Sequence, residues 1–284
     1  MSPRAMLAAA LAAAAPPLPL LAQDGAAPLE PPLMTAQVID SVVVPEANQA
    51  VGVDAEFFYA IDNTTIAKYR KDTHELVEVR DYAEQGAIHF DSAAVVEGRI
   101  YIAHSNYPVW PMTSSLAIVD AATLEVVDSH SFGIQLGSFT WFDRAPDGQW
   151  WGGFANYNRV FDRMQMAYGN KHATQVVRFG PEWEIEEAYV VPDLVLERFD
   201  DMSNSGGSWG PDGNLYLTGH DPAEAYVMQL PKIGSMLNWV GTVPLAIEGQ
   251  GIAWDRSEPD ILYGFVRETN TVSVNRVDLT SLVQ

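Results

Sequence analysis

Five short segments of one pattern recur along the chain and constrain its fold more than any other feature. Each has a turn residue, two mostly apolar positions and an aromatic: Glu56-Phe57-Phe58-Tyr59, Gly98-Arg99-Ile100-Tyr101, Gly148-Gln149-Trp150-Trp151, Gly213-Asn214-Leu215-Tyr216 and Asp260-Ile261-Leu262-Tyr263. The aromatics stand at 59, 101, 151, 216 and 263, so one unit recurs every 42 to 65 residues. A short apolar stretch precedes each: "AVGVD", "DSAAVV", "FTWFD", "GGSWG" or "GIAWD". Turns such as "APDGQ" and "GPDGN" join the two stretches, and Asp-Gly there supplies the positive φ that a tight hairpin needs.

Further alternating segments follow each signature, such as "SLAIVD" then "EVVDSHSF", and "TQVVRF" then "EIEEAYVV". Period-two alternation with closely spaced turns, and almost no helical pattern, predicts an all-β chain. Four strands per repeat of this length is the unit of a β-propeller. Five such units fill residues 37–284, which predicts a single propeller of five four-stranded blades. The last unit runs out one strand short, while "QVIDSVVV" (37–44) belongs to no other unit. That segment is expected to complete the last blade, joining the termini and removing an open edge. An open β-sandwich is the alternative, but repetition of five similar units suits radial closure better.

Residues 1–22 have the layout of a secretory signal peptide: Arg4, an Ala/Leu run, then a small residue at Ala22. A run of about 11 apolar residues is too short to span a bilayer, so a membrane anchor is the weaker reading. Residues 23–36 are Pro/Ala-rich and read as a flexible leader. The expected location is periplasmic or secreted. With 16 basic against 37 acidic residues the net charge is −21, which opposes nucleic-acid and anionic-membrane partners and leaves a small molecule as the expected one. Cysteine is absent, so there is neither a disulfide frame nor a thiol nucleophile.

In a propeller the first strand of each blade lines the central channel and the second runs back beside it. Starts of first strands and ends of second strands therefore share one face, and the hairpin turns lie on the other. "GRIYIAHSNYP" (98–108) is such a second strand, so His104, Ser105, Asn106 and Tyr107 are expected at the channel mouth. His89 and Asp91 begin the first strand of the same blade. Asn156, Asn158, His220, Asp221 and Arg267 end other second strands, and Asn204 and Gln250 begin other first strands. The hairpin face reads as routine surface: "EGR", "PDGQ", "PDGN", "RSEPD". A long insertion, "NYNRVFDRMQMAYGNKHAT" (156–174), is expected to lie over the mouth and bring Arg159, Arg163, Tyr168 and Lys171 to it.

Two chemistries fit this cluster. A divalent metal would take His89, His104 and His220 with Gln250 or Asp91, since imidazoles with an amide or carboxylate suit zinc, manganese or iron. Acid–base catalysis without a metal would use His104 or His220 beside Asp91 or Asp221, Tyr107 or Tyr157 as acid, and Arg267 to hold a carboxylate. Asn106, Asn156, Asn158, Asn204 and Asp221 are the candidate ligand-binding residues. No GxSxG elbow, P-loop or dinucleotide fingerprint is present. Trp141, Trp209 and Trp254 occupy matching repeat positions and read as packing between blades.

"GPDGNLYLTGHD" (210–221) resembles the repeat of six-bladed propellers of the SMP-30/gluconolactonase and NHL type, and "GIAWD" is similar to their inner strands. The resemblance covers one or two repeats and implies a propeller. That enzyme family holds a divalent ion with Glu and Asn/Asp ligands, which have no residue-by-residue match here, and this chain counts five units against its six. Plant-type glutaminyl cyclases resemble the chain in blade count, without their motifs. The function expected from the whole is an exported enzyme acting on a small polar or carbohydrate-like molecule by hydrolysis, elimination or isomerisation. The alternative class is a non-catalytic propeller that binds a ligand or a partner protein.

Overall fold

A computed structural model describes residues 30–282 except 135, 162, 163, 165, 167 and 168. The signal peptide and most of the leader lie outside the described residues, as do Arg163 and Tyr168. Strand β1 (Ala36–Val43) opens the fold. The first blade is β2 (Ala50–Val53), β3 (Phe57–Ile61), β4 (Thr65–Arg70) and β5 (Leu76–Asp81). The second is β6 (His89–Val96), β7 (Arg99–Ser105), β8 (Ser114–Asp120) and β9 (Val126–Gly133). The third is β10 (Ser138–Arg144), β11 (Trp150–Ala155), β12 (Gln175–Phe179) and β13 (Ile185–Val190). A short helix, α1 (Asp193–Leu196), leads to the fourth: β14 (Gly206–Trp209), β15 (Leu215–Thr218), β16 (Glu224–Gln229) and β17 (Asn238–Pro244). The fifth has β18 (Ala253–Trp254), β19 (Ile261–Val266) and β20 (Thr271–Val277).

These strands make five four-stranded antiparallel sheets, each in sequence order except the last, which runs β18-β19-β20-β1. The chain is therefore an all-β, five-bladed propeller. β1 pairs with β20 from Ala36↔Val277 to Val43↔Thr271, so the N-terminal strand completes the blade that the C-terminus leaves short. Closure of this kind covers the edge of β20 that would otherwise lie open.

Packing between blades supplies the core. Inner strands are buried almost throughout, because each sheet is covered on both faces by its neighbours. Phe58, Tyr69, Tyr263 and Phe265 fill the seam between blades five and one, and Tyr59, Ile61, Ile100 and Ile102 that between one and two. Phe139, Phe142, Phe154 and Phe179 sit between two and three; Trp141, Trp209, Leu217 and Tyr226 between three and four; Tyr216, Trp254 and Leu262 between four and five. The repeated aromatic also closes its own turn: the Tyr59 hydroxyl donates to Asp54 Oδ2 at 2.7 Å, and that of Tyr216 to Asp212 Oδ2 at 2.9 Å. A local sequence signature and a long-range seam thus share one side chain. Outer strands are exposed, which explains the plain alternation of β5 and β9. Among the described residues, no helix is long and apolar enough to cross a membrane.

Candidate functional site

The face carrying starts of first strands and ends of second strands holds a small axial cavity of about 90 Å³. Gln49, His89, Asp91, Tyr107, Tyr157, Met202, Ser205, His220, Gln250 and Arg267 line it, so all five blades or their connections contribute. A volume of this size is that of about three water molecules, enough for the reacting group of a ligand and not for a whole one.

Local irregularity puts the polar groups there. The β6–β7 ladder pairs Phe90 with His104 and then Ala93 with Ile102, leaving Asp91 and Ser92 opposite the single residue Ala103. Such a bulge turns side chains out of the ladder, here toward the axis. Gln250 adopts φ 62°, and its carbonyl accepts from the Thr218 hydroxyl while its N–H donates to Gly219 O at 2.7 Å.

His89 is held in one tautomer. Asp62 Oδ1 accepts from Asn63 Nδ2 at 3.1 Å, which fixes the Asn63 amide with Oδ1 toward the mouth. That oxygen only accepts, so it takes a proton from His89 Nδ1 at 2.6 Å, and another from Gln49 Nε2 at 3.1 Å. The lone pair of His89 is then on Nε2, 3.7 Å from Asp91 Oδ1. Burial lowers the His89 pKa to about 4, with the neighbouring His104, Arg267 and His220 acting in the same direction. Asp91 is 3% exposed, and burial pushes its carboxyl well above the ordinary carboxylate range, against a smaller opposing pull from Arg267. At neutral pH His89 is therefore an uncharged imidazole, and burial biases the Asp91 carboxyl beside it toward its uncharged form.

Among the described residues, two buried polar atoms of this lining have no hydrogen-bond partner: Asp91 Oδ2 and Arg267 Nη2. Arg267 is anchored by its Nε, which donates to Asn48 O at 3.2 Å. An unpaired buried donor or acceptor costs about 1–3 kcal/mol, so a site keeping one of each is built to receive a group that completes them. Tyr107 lies over His89 at 5.1 Å between ring centres, and burial raises its pKa. Tyr157 and Phe161 pack against Tyr107 at 5.5 and 5.2 Å, and join Met202 in a cluster over the mouth. The 156–174 insertion thus walls the cavity with Tyr157, as its position after β11 implied. Two of its described positive charges are used otherwise: the Lys171 ammonium donates to Leu196 O and Asp200 O, and Arg159 lies 3.7 Å from Asp201.

The remaining expected residues divide. His220 lines the cavity with Nδ1 2.6 Å from Asp221 Oδ1, so the Asp221 carboxylate orients it from the rim. His104 stands at mouth level but turns into the blade. Its Nε2 accepts from Ile88 N–H at 3.0 Å, and its Nδ1 pairs with Ser115 Oγ at 2.8 Å, which leaves neither nitrogen for the cavity. Asn106 clamps its own loop, donating to Pro111 O and accepting from Thr113 N–H. Asn156 donates to Leu136 O and Ala173 O, and Asn158 accepts from Lys171 N–H, so both brace the insertion. Asn204 is fully buried, accepting from Trp141 Nε1 and donating to Gly206 O and Thr218 O. Of the expected metal donors, His89, His220 and Gln250 share the cavity and His104 does not. Among the described residues, no three His, Asp or Glu side chains come together in a metal-ligating group. Met202 and the unpaired state of Arg267 carry no sequence signal; the Asn63 brace was readable as the polar end of β3.

No family model and no curated protein matches the chain. Among solved structures it is similar to the glutaminyl cyclase of Myxococcus xanthus, with 11% identity over 88% of this chain and 99% of that one, at a TM-score of 0.58. It is similar more remotely to hydrazine synthase of Kuenenia stuttgartiensis, at 12% identity over 83% and 70% of the two chains and a TM-score of 0.44. At such identity the likeness to the cyclase is one of fold alone.

The hairpin face differs from its expected plainness. The larger cavity of the channel, about 750 Å³, opens there, lined by Trp209 and Trp254 as well as by turn residues. Those two indoles also pack in the seams, so the same repeat positions serve both purposes.

Proposed function

We propose that the histidine-bearing mouth is the active site of an exported proton-transfer enzyme of the lyase or isomerase type, acting on a small polar or carbohydrate-like molecule. The observation that carries this reading is the pair of buried, unpartnered atoms, Asp91 Oδ2 and Arg267 Nη2, in one small cavity beside the free Nε2 of His89. A carbonyl oxygen of the substrate accepts from Arg267 Nη2 and from the Asp91 acid. His89 Nε2 then removes a proton from the adjacent carbon, the electron pair moves toward the oxygen, and Asp91 supplies the proton that gives the enol. Where that carbon bears a hydroxyl, the Asp91 carboxylate takes the hydroxyl proton as His89 returns its own to the former carbonyl carbon, completing an isomerisation; where a β-substituent is present, His89 protonates it as it departs and the enol proton returns to Asp91, completing an elimination. The 3.7 Å between His89 and Asp91 suits transfers at adjacent atoms of one substrate, and burial that favours the uncharged form of both groups leaves the imidazole free to accept a proton and biases the carboxyl toward donating one.

Export rests on the residue pattern of 1–22. The test is exchange of α-protons with D2O in small hydroxyaldehydes and 2-oxo acids, followed by proton NMR. The reading predicts exchange that is lost in His89→Gln and reduced at least a hundredfold in Asp91→Asn. Ligands that bind the wild type and never exchange would replace it with the non-catalytic binding function.

A further inference from the structure

The two ends of the channel are separate chambers. A Cβ on Gly251 would stand 2.4 Å from Ala50 Cβ and 2.7 Å from Ser92 Oγ, and one on Gly206 would stand 2.2 Å from Gln250 O. Backbones of neighbouring blades therefore meet at the waist, where only glycine fits. The chamber at the hairpin face shares no lining residue with the one around His89. Its volume of about 750 Å³ falls in the range of small-molecule sites, roughly 300–1,000 Å³.

The polar groups of this chamber are unequal. Asp143, with a side chain 2% exposed, accepts from Ser208 Oγ and Trp209 N–H on one oxygen and from Arg256 Nη2 on the other, at 2.5 Å. Arg256 Nη2 also donates to Arg144 O, while its Nε and Nη1 have no partner among the described residues. Arg144 donates from Nε to Gly148 O and from Nη1 to Glu97, and its Nη2 is unspent. Three carboxylates of the lining itself are also engaged: Asp54 by two turn N–H groups and the Tyr59 hydroxyl, Asp255 by Lys71 and Ser257, and Glu97 by Arg144. What the two guanidinium groups offer a ligand is therefore hydrogen-bond donation beside an apolar wall of Trp209, Trp254, Val95 and Pro211. The arrangement suits a planar carboxylate attached to a ring or branched chain.

We propose that the hairpin-face chamber is a second ligand site, for an organic carboxylate with an aromatic or branched apolar body, bound by Arg144 and Arg256. The proposal is independent of the chemistry at the opposite mouth. Its test is calorimetric titration of the full chain with benzoate, with benzyl alcohol as the uncharged body and acetate as the bodiless charge. Arg144→Gln removes an exposed donor. Arg256→Lys keeps a charge on Asp143, which a neutral replacement would strand. The proposal predicts saturable one-to-one benzoate binding, weakened about tenfold by each variant and unchanged in Asp91→Asn, since losing one charge-assisted bond is of that order. Benzyl alcohol and acetate should each bind at least tenfold more weakly. Absence of benzoate binding, equal binding of benzyl alcohol, or affinity that survives both arginine variants but falls in Arg267→Gln would overturn it. Thermal melts of each variant establish that the protein titrated is folded.

Discussion

Acidification should destabilise this protein in a way that His89 controls. An ordinary imidazole titrates near 6.5, whereas His89 in the folded chain titrates near 4, chiefly because burial disfavours its charged form. The folded state therefore refuses a proton that the unfolded chain takes up. The stability at stake is fully present above pH 6.5, is lost as pH falls from 6.5 toward 4, and changes no further below that. The whole interval corresponds to about 3 kcal/mol, and about 2 kcal/mol of it is gone by pH 5. The side chain is only 14% exposed, so solvent screening takes little from this figure. Urea unfolding of wild type and His89→Gln at a series of pH values isolates the effect, because every other titrating group is common to both. The stability difference between them should shift by about 2 kcal/mol in favour of the variant between pH 7.5 and pH 5. Parallel curves over that range would refute the buried, neutral state of His89 and the base assigned to it.

Asp91→Asn should act in the opposite direction. A carboxyl whose pKa is raised by folding costs stability above about pH 4, where the unfolded chain ionises, so the variant should gain over wild type as pH rises and match it in acid, by the same urea series. His104→Ala should lower stability by about 1–2 kcal/mol in thermal or urea melts, because it removes the hydrogen bonds of the imidazole with Ile88 N–H and Ser115 Oγ, while leaving ligand affinity at the mouth unchanged. Gly251→Ala should cost about 1–3 kcal/mol by overpacking the waist against Ala50 and Ser92, a loss visible as a lower urea midpoint at constant slope. Removal of residues 1–44 should abolish cooperative unfolding, since β20 would keep β19 but lose its other partner along its whole length; a sharp transition in the truncated chain would contradict closure by β1.

The fold was legible because its information is local and repeated. The Asp-Gly turns, the aromatic after each turn and the odd strand at 37–44 each reported one piece of a unit that recurs. Placement of the mouth followed from the direction of β6 and β7 alone. What topology could not show was where a side chain turns. His89 pairs with Ser105 and Phe90 with His104, so the two histidines sit one register position apart and leave opposite faces of the sheet: one lines the cavity and the other bonds to Ile88 and Ser115. Asn204 and Asn156 looked like ligand contacts because polar residues at strand ends do so, and their amides are instead spent on buried backbone groups. The hairpin-face chamber was hidden for a related reason. Trp209 and Trp254 announced packing, and no pattern in the sequence says that Arg144 and Arg256, more than a hundred residues apart, arrive beside them.

The central claim is that Asp91 and Arg267 leave their inner atoms open for a substrate oxygen, and it is tested most directly by a crystal structure grown with glycolaldehyde near pH 6. The account predicts a ligand oxygen between Asp91 Oδ2 and Arg267 Nη2, with the adjacent carbon facing His89 Nε2. A direct ion pair between Asp91 and Arg267 that closes the cavity and leaves the ligand outside would contradict it.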